Sequence, residues 1–289
     1  MSGNVNGMLL MLIASIVLTI MHALVRHIGS DMHPFEVSFF RNLFGLIAVM
    51  PLVLRSGIKS LYTRHPGLQL LRAVLGVSAM LSWFYALSIV PIAQATALSF
   101  TAVIFASVGA AVVLREKMHV RRWTAVCLGF VGAFFILRPG FQEVSFGMML
   151  VLGSSVAWGM AVVVVKRLSR TDPVVSIVAW MAISLTVFSF VPALYVWTWP
   201  SFEELLLLSL VGALGTTGHL AMTNALKHAE ATTITPLDFT RLLWASVIGY
   251  FVFGEIPDIW TWIGGGIIIA SASYLIFREA RVGRVSNKY

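Results

Sequence analysis

One cysteine, Cys127, stands in 289 residues. A single thiol excludes an intrachain disulfide and a multi-cysteine metal site. Charge is scarce as well. Asp, Glu, Lys and Arg make up 11% of the chain, against about 25% in a soluble domain. The motifs of common catalytic and nucleotide sites are missing too. The chain has no H-E-x-x-H, no G-x-S-x-G, no paired aspartates at helix centres and no P-loop. Those gaps argue against an intramembrane hydrolase and against ATP-driven pumping by this chain. No ring of like charges or re-entrant filter marks a channel. No metal and no cofactor is called for.

What fills the chain is apolar. Hydrophobic residues make up 58% of it, and runs near the ~20 residues needed to cross a bilayer recur throughout. Ten are expected as helices: 8–28, 35–54, 68–90, 92–114, 121–137, 146–166, 174–198, 203–226, 231–253 and 258–277. The first has no basic stretch ahead of it and no small-x-small cleavage site. It therefore reads as a spanning helix and not a cleaved leader. The fold class is all-α, a multi-pass membrane protein.

The net charge of +8 raises the question of a nucleic-acid partner, and its placement answers it. With the N-terminus inside, nearly all basic residues fall on inner segments, from Arg55, Lys59 and Arg64 to Arg281, Arg284 and Lys288. Only Arg26 and Arg138 fall outside. That imbalance orients the chain with both termini cytoplasmic. The partner is the lipid bilayer of a plasma membrane (in bacteria, the inner membrane), and no nucleic acid is required.

Shifted by 139 residues, the second half overlies the first. "FYALSIVPIAQATALSFTAVIFASVGAAVVLREK" matches "TNALKHAEATTITPLDFTRLLWASVIGYFVFGEI", with Thr96/Thr235, Phe100/Phe239, Thr101/Thr240 and Glu116/Glu255 identical. "GMLL" at Gly7 matches "GMML" at Gly147. The units are 1–143 and 144–289, five helices each. Because five is odd, the second unit enters the membrane inverted, an arrangement that puts substrate sites near the midplane between halves.

These stretches, with "HPFEVSFFRNLFG" and "GGGIIIASASYLIFRE", resemble the drug/metabolite transporter superfamily, specifically proteins with two EamA domains. The nearest likeness is the branch that includes riboflavin and S-adenosylmethionine transporters. The chain departs from many members in carrying Arg241-Leu242 in place of Glu-Pro. The resemblance implies a secondary transporter of a small organic metabolite working by alternating access. The rival readings are a non-transporting membrane scaffold and an intramembrane enzyme.

Ionisable residues inside apolar runs are the site candidates, since a charge at mid-membrane costs about 2.5–3.5 kcal/mol on insertion scales. Asp238 and Arg241, at i and i+3, share a helical face with Thr235, and Pro236 frees backbone groups beside them. The pair is either a substrate site or a self-neutralising lock. Asp238 aligns with Ser99 and Thr235 with Thr96, so both halves offer polar groups at one depth. Arg41 has three open fates: pairing with Asp238, binding a substrate anion, or snorkelling outward. Trp83, Tyr85 and Trp158 suit a ring-bearing substrate. His219, with His22, Asp238 and Glu36, is suited to proton coupling, and facilitated exchange fits the same residues. Small-residue stripes at Ala125-xxx-Gly129-xxx-Ala133 and Gly266-xxx-Ala270 read as packing faces, with a homodimer as a further use.

Overall fold

The computed structural model describes residues 2–56, 62–113, 120–138, 143–168, 171–172, 174–228 and 237–286. Among these the chain is helical, with no strand: α1 (Ser2–Ile28), α2 (Pro34–Ser56), α3 (Pro66–Ile89), α4 (Ile92–Ser99), α5 (Thr101–Val113), α6 (Val120–Leu137), α7 (Phe146–Leu168), α8 (Val174–Leu194), α9 (Phe202–His228), α10 (Arg241–Phe253) and α11 (Ile259–Ser286). Five stretches are long and apolar enough to cross a membrane: Val5–Ile28, Pro66–Ile89, Ile92–Val113, Phe146–Leu168 and Phe202–Met222. Four more apolar helices are shorter. The fourth expected helix is divided at Phe100, so α4 and α5 together make one span.

Helix ends follow local chemistry. α2 and α3 each begin on a proline, whose missing N–H falls among the amides a first turn leaves unpaired anyway. At the start of α9, Ser201 and Glu204 exchange hydrogen bonds, 2.6 Å from the Ser201 amide to the carboxylate and 3.3 Å from the Glu204 amide to the hydroxyl. This reciprocal pair satisfies two otherwise orphaned donors. α10 ends at Gly254, whose φ of +67° only glycine adopts at little cost.

The two halves pack in mirrored fashion. α1 lies along α9 as α7 lies along α3, α2 meets α8, α6 meets α11, and α4 meets α10. Loop contacts mirror each other too. Glu36 at the start of α2 is fully buried and accepts from the Thr198 amide at 2.9 Å and its hydroxyl at 3.0 Å. Ser176, in α8, donates to the Tyr62 carbonyl at 3.1 Å. Nearby, Asp172 accepts from Thr63, from the Arg64 amide and from Gln69. Burial pushes its carboxyl upward, but these bonds outweigh that and hold it below the usual carboxylate range.

The sixth and eleventh helices meet backbone to backbone. A Cβ on Gly264 would fall 2.5 Å from the Gly132 carbonyl oxygen, and one on Gly132 would fall 2.7 Å from that of Gly264. Gly129 is also tightly enclosed, by Ile104 and Ser271. As a packing face within the chain, the expected Gly266-xxx-Ala270 stripe needs correcting. Gly266 meets nothing within 4 Å, and both residues face outward. Outward faces are otherwise rich in large apolar side chains such as Val112, Phe134 and Phe251, as contact with lipid requires.

Candidate functional site

The interruptions in the two broken helices coincide with the repeat. Phe100 closes α4 with φ −64° and ψ −16°, and Thr240 precedes α10 with φ −60° and ψ −16°. No proline lies between Ile92 and Val113, so proline does not explain the first break. Hydroxyls offer a cause common to both. Thr101 Oγ1 donates to the Leu98 carbonyl at 2.6 Å, and Thr240 Oγ1 donates to the Leu237 carbonyl at 2.6 Å. Such back-bonding competes with the helix ladder and bends it. Around each break the backbone bonds i to i+3, as in Val103 N to Phe100 O at 3.2 Å and Leu242 N to Phe239 O at 3.1 Å, the tighter 3₁₀ spacing.

The breaks meet each other. The rings of Phe100 and Phe239, equivalent in the repeat, lie edge to face with centroids 4.9 Å apart and planes at 79°. Beside them Arg241 donates from Nη2 to Asp238 Oδ2 at 2.6 Å, with side chains 23% and 17% exposed. The guanidinium also sits over the Phe100 ring, 5.8 Å from its centroid. Two polar atoms are left over: Asp238 Oδ1 and Arg241 Nε are buried without a hydrogen-bond partner among the described residues. A buried group left unsatisfied costs about 1–3 kcal/mol, more when charged. Ser15 of α1 reaches Thr240, oxygen to oxygen 3.0 Å. In mirror fashion, Ser155 of α7 lies 3.5 Å from the Ser99 carbonyl.

Arg41 does not pair with Asp238. Its Nη1 donates to Asn42 Oδ1 at 2.9 Å, and Asn42 is itself anchored to α8 by Leu185 O at 3.3 Å and Ser189 Oγ at 3.2 Å. The guanidinium lies against Gly215 of α9, where a Cβ would be 3.0 Å from Nη2 and 3.1 Å from Nε. A side chain there would press on the guanidinium, which would have to give way by a few tenths of an ångström. His22 and His219 both lie within electrostatic range of Arg41 and Arg241. Trp83 joins this group, edge to face with His22 at 5.3 Å.

The other candidates lie elsewhere or bond internally. Tyr85 packs with His33, Phe35 and Phe146 at the helix ends. Trp158 is 44% exposed and makes no ring contact with Trp83 or Tyr85 among the described residues. Its neighbour Gly159 takes the packing face, a Cβ there falling 2.8 Å from the Ala106 amide. Thr96 and Ser99 donate to carbonyls of their own helix, Ile92 at 2.7 Å and Thr96 at 2.7 Å, leaving oxygen lone pairs as acceptors. Thr235 and Pro236 lie outside the described residues. Reading the sequence missed Ser15, Asn42 and Gly215. Of these only Ser15 left a signal, since it aligns with Ser155 in the "GMLL"/"GMML" register.

A profile of the EamA-like transporter family matches residues 5–138 and again 145–277. The chain is 29% identical over 276 residues to an S-adenosylmethionine uptake transporter of Rickettsia prowazekii, covering 96% of this chain and 94% of that one. It is 30% identical over 284 residues to a riboflavin transporter of Vibrio cholerae, covering 96% and 95%. A solved crystal structure superposes with a TM-score of 0.64 at 15% identity, over 97% of this chain and 98% of that one, which shows a shared fold.

Proposed function

Because this chain belongs to the EamA-like transporter family, a family of transporters and not of enzymes, we propose that it moves a small ring-bearing metabolite across the bacterial plasma membrane by alternating access. The substrate class is that of S-adenosylmethionine or riboflavin, the compounds for which its relatives are named. The halves are 1–143 and 144–289, ten spans in all, inverted relative to each other, with both termini cytoplasmic. The observation that carries this reading is the meeting of the two breaks at Phe100 and Phe239, beside an ion pair that among the described residues retains an unmet acceptor and an unmet donor.

In this reading Asp238 Oδ1 and Arg241 Nε receive polar groups of the substrate, and Arg41 holds an anionic group. Trp83 supplies a flat wall, since apolar surfaces with a few placed polar groups make ordinary ligand pockets. Thr96 and Ser99 add acceptors, and Thr235 is grouped with them by its place in the repeat alone. His22 and His219 stand where a coupled proton would pass.

The topology is tested in a Cys127→Ser background with single cysteines placed along the loops. Cysteines near Lys59, Lys117 and Lys288 are expected to resist an impermeant thiol reagent applied to intact cells. Those near Asp31, Gln142 and Pro200 are expected to react. Labelling at the first set would contradict the inverted arrangement.

A further inference from the structure

We propose that Arg26 and Glu255 form a latch that closes one mouth of the transport path, tying the ends of α1, α3, α4 and α10 together when the path is shut on that side. This inference rests on the alternating-access reading and adds to it the contact that must break.

The latch is built from the end of α10. Gly254, at φ +67°, lets the chain reverse, and the Glu255 amide bonds back to the Gly249 carbonyl at 2.9 Å. The carboxylate is thereby returned over the last turn, where Gly249 has no side chain to block it. A Cβ on Gly249 would meet Ile92 Cγ2 at 3.2 Å and Glu255 Oε2 at 3.3 Å. Oε2 accepts from the amide of Ile92 at 2.9 Å, the first residue of α4. A carboxylate there meets an orphaned N–H and the positive end of the helix.

Arg26, near the end of α1, completes the tie. It forms an ion pair with Glu255, donates to the Leu87 carbonyl at 2.6 Å and also to that of Val90. Those carbonyls end α3. The guanidinium stands 5.2 Å from the Phe253 ring centroid. Two side chains thus bridge four helix ends, and two of those helices, α4 and α10, carry the breaks at Phe100 and Phe239. A substrate between α4 and α10 cannot leave past these ends until the bridge opens.

The energetics suit a contact that opens and closes. The two side chains are 18% and 14% exposed, so pairing them carries a desolvation cost that cancels much of their attraction. A hydrophobic contact of the same size would hold the mouth shut more firmly. An ion pair is released when water reaches it, because both groups are hydrated on opening. In sequence, Glu255 aligns with Glu116 and Arg26 with Lys166, the same signs at matching ends of the other half. Glu116 lies outside the described residues, and the proposal concerns Arg26 and Glu255 alone.

The test reads opening directly and uses no substrate. In a Cys127→Ser background, a reporter cysteine at Ser99 is labelled in intact cells with an impermeant thiol reagent. Arg26→Gln and Glu255→Gln are each expected to raise its initial labelling rate about tenfold, the ratio given by losing ~1.4 kcal/mol of closed-state preference. The double variant is expected to label no faster than either single one, since both open the same latch. Wild-type rates in single variants that keep the wild-type melting temperature would overturn the proposal. A second arm covers variants that fold poorly. Cysteines replacing Arg26 and Glu255 are joined by a cleavable thiol cross-linker before labelling. The linked protein is expected to protect the reporter, and cleavage to restore its reactivity. A reporter that labels equally fast with the link in place would also overturn it. Since the readout is accessibility, a wrong substrate class would leave these results unchanged.

Discussion

Replacing both charges of the central pair, Asp238→Asn with Arg241→Gln, is expected to leave a folded protein whose transport falls roughly a hundredfold or more. That factor corresponds to about 2.7 kcal/mol, within the range of hydrogen bonds to charged groups. The single variants are expected to behave differently. Removing one partner of a buried pair leaves the other uncompensated, at about 3–5 kcal/mol when fully buried. The side chains here are 23% and 17% exposed, so the lower end applies, and each single variant is expected to yield less folded protein. The pair sits at 2.6 Å with one oxygen and one nitrogen unmet among the described residues, which separates two roles. If the pair only cancels itself within the bundle, the double variant would fold and transport normally. If substrate meets Oδ1 or Nε, it would fold and fail. Gel-filtration profiles and melting temperatures, with uptake measured on the same preparations, decide between them.

Gly264→Leu is expected to abolish most folded protein, whereas Gly266→Leu, two residues away, is expected to leave it near wild-type levels. Small residues let membrane helices approach closely, and here the approach is complete. A Cβ on Gly264 would lie 2.5 Å from the Gly132 carbonyl oxygen, 2.6 Å from Ile136 Cγ1 and 3.2 Å from the Ile136 amide. Overpacking usually costs about 1–3 kcal/mol because side chains shift to relieve it. Two of these three atoms are backbone, so α6 and α11 must separate, and the cost exceeds that range. At Gly266 nothing lies within 4 Å. Fluorescence-detected gel filtration of the two variants checks this. An unaltered peak for Gly264→Leu would mean that the helices do not cross there.

Much of this architecture was legible because membrane helices announce themselves by composition. Long apolar runs marked the all-helical class, five of whose stretches are long enough to cross a membrane, and the 139-residue register alone pairs Phe100 with Phe239 and Thr101 with Thr240. The Asp238–Arg241 pair was legible because i and i+3 lie on one face of a helix. Contacts between distant segments were not. Nothing local joins Arg26 to Glu255, or Arg41 to Gly215. The break at Phe100 has no proline or glycine to mark it, and the Thr101 hydroxyl that bonds to Leu98 has the same residue type as threonines inside regular helices. Three consecutive glycines, Gly264 to Gly266, point about 100° apart around the helix, so spacing alone could not say which faces α6. Trp158 turned outward for a related reason, because Gly159 beside it takes the face against α5.

The most direct measurement is uptake into liposomes holding the purified protein, with radiolabelled S-adenosylmethionine and riboflavin supplied in turn. The expected result is time-dependent, saturable accumulation of at least one of them above protein-free liposomes, lost in the Asp238→Asn/Arg241→Gln variant reconstituted to the same density. Accumulation by the wild-type protein no faster than in protein-free liposomes, for both compounds, would contradict the proposed substrate class. Equal uptake by the neutral double variant would contradict the placement of the site at the meeting of α4 and α10.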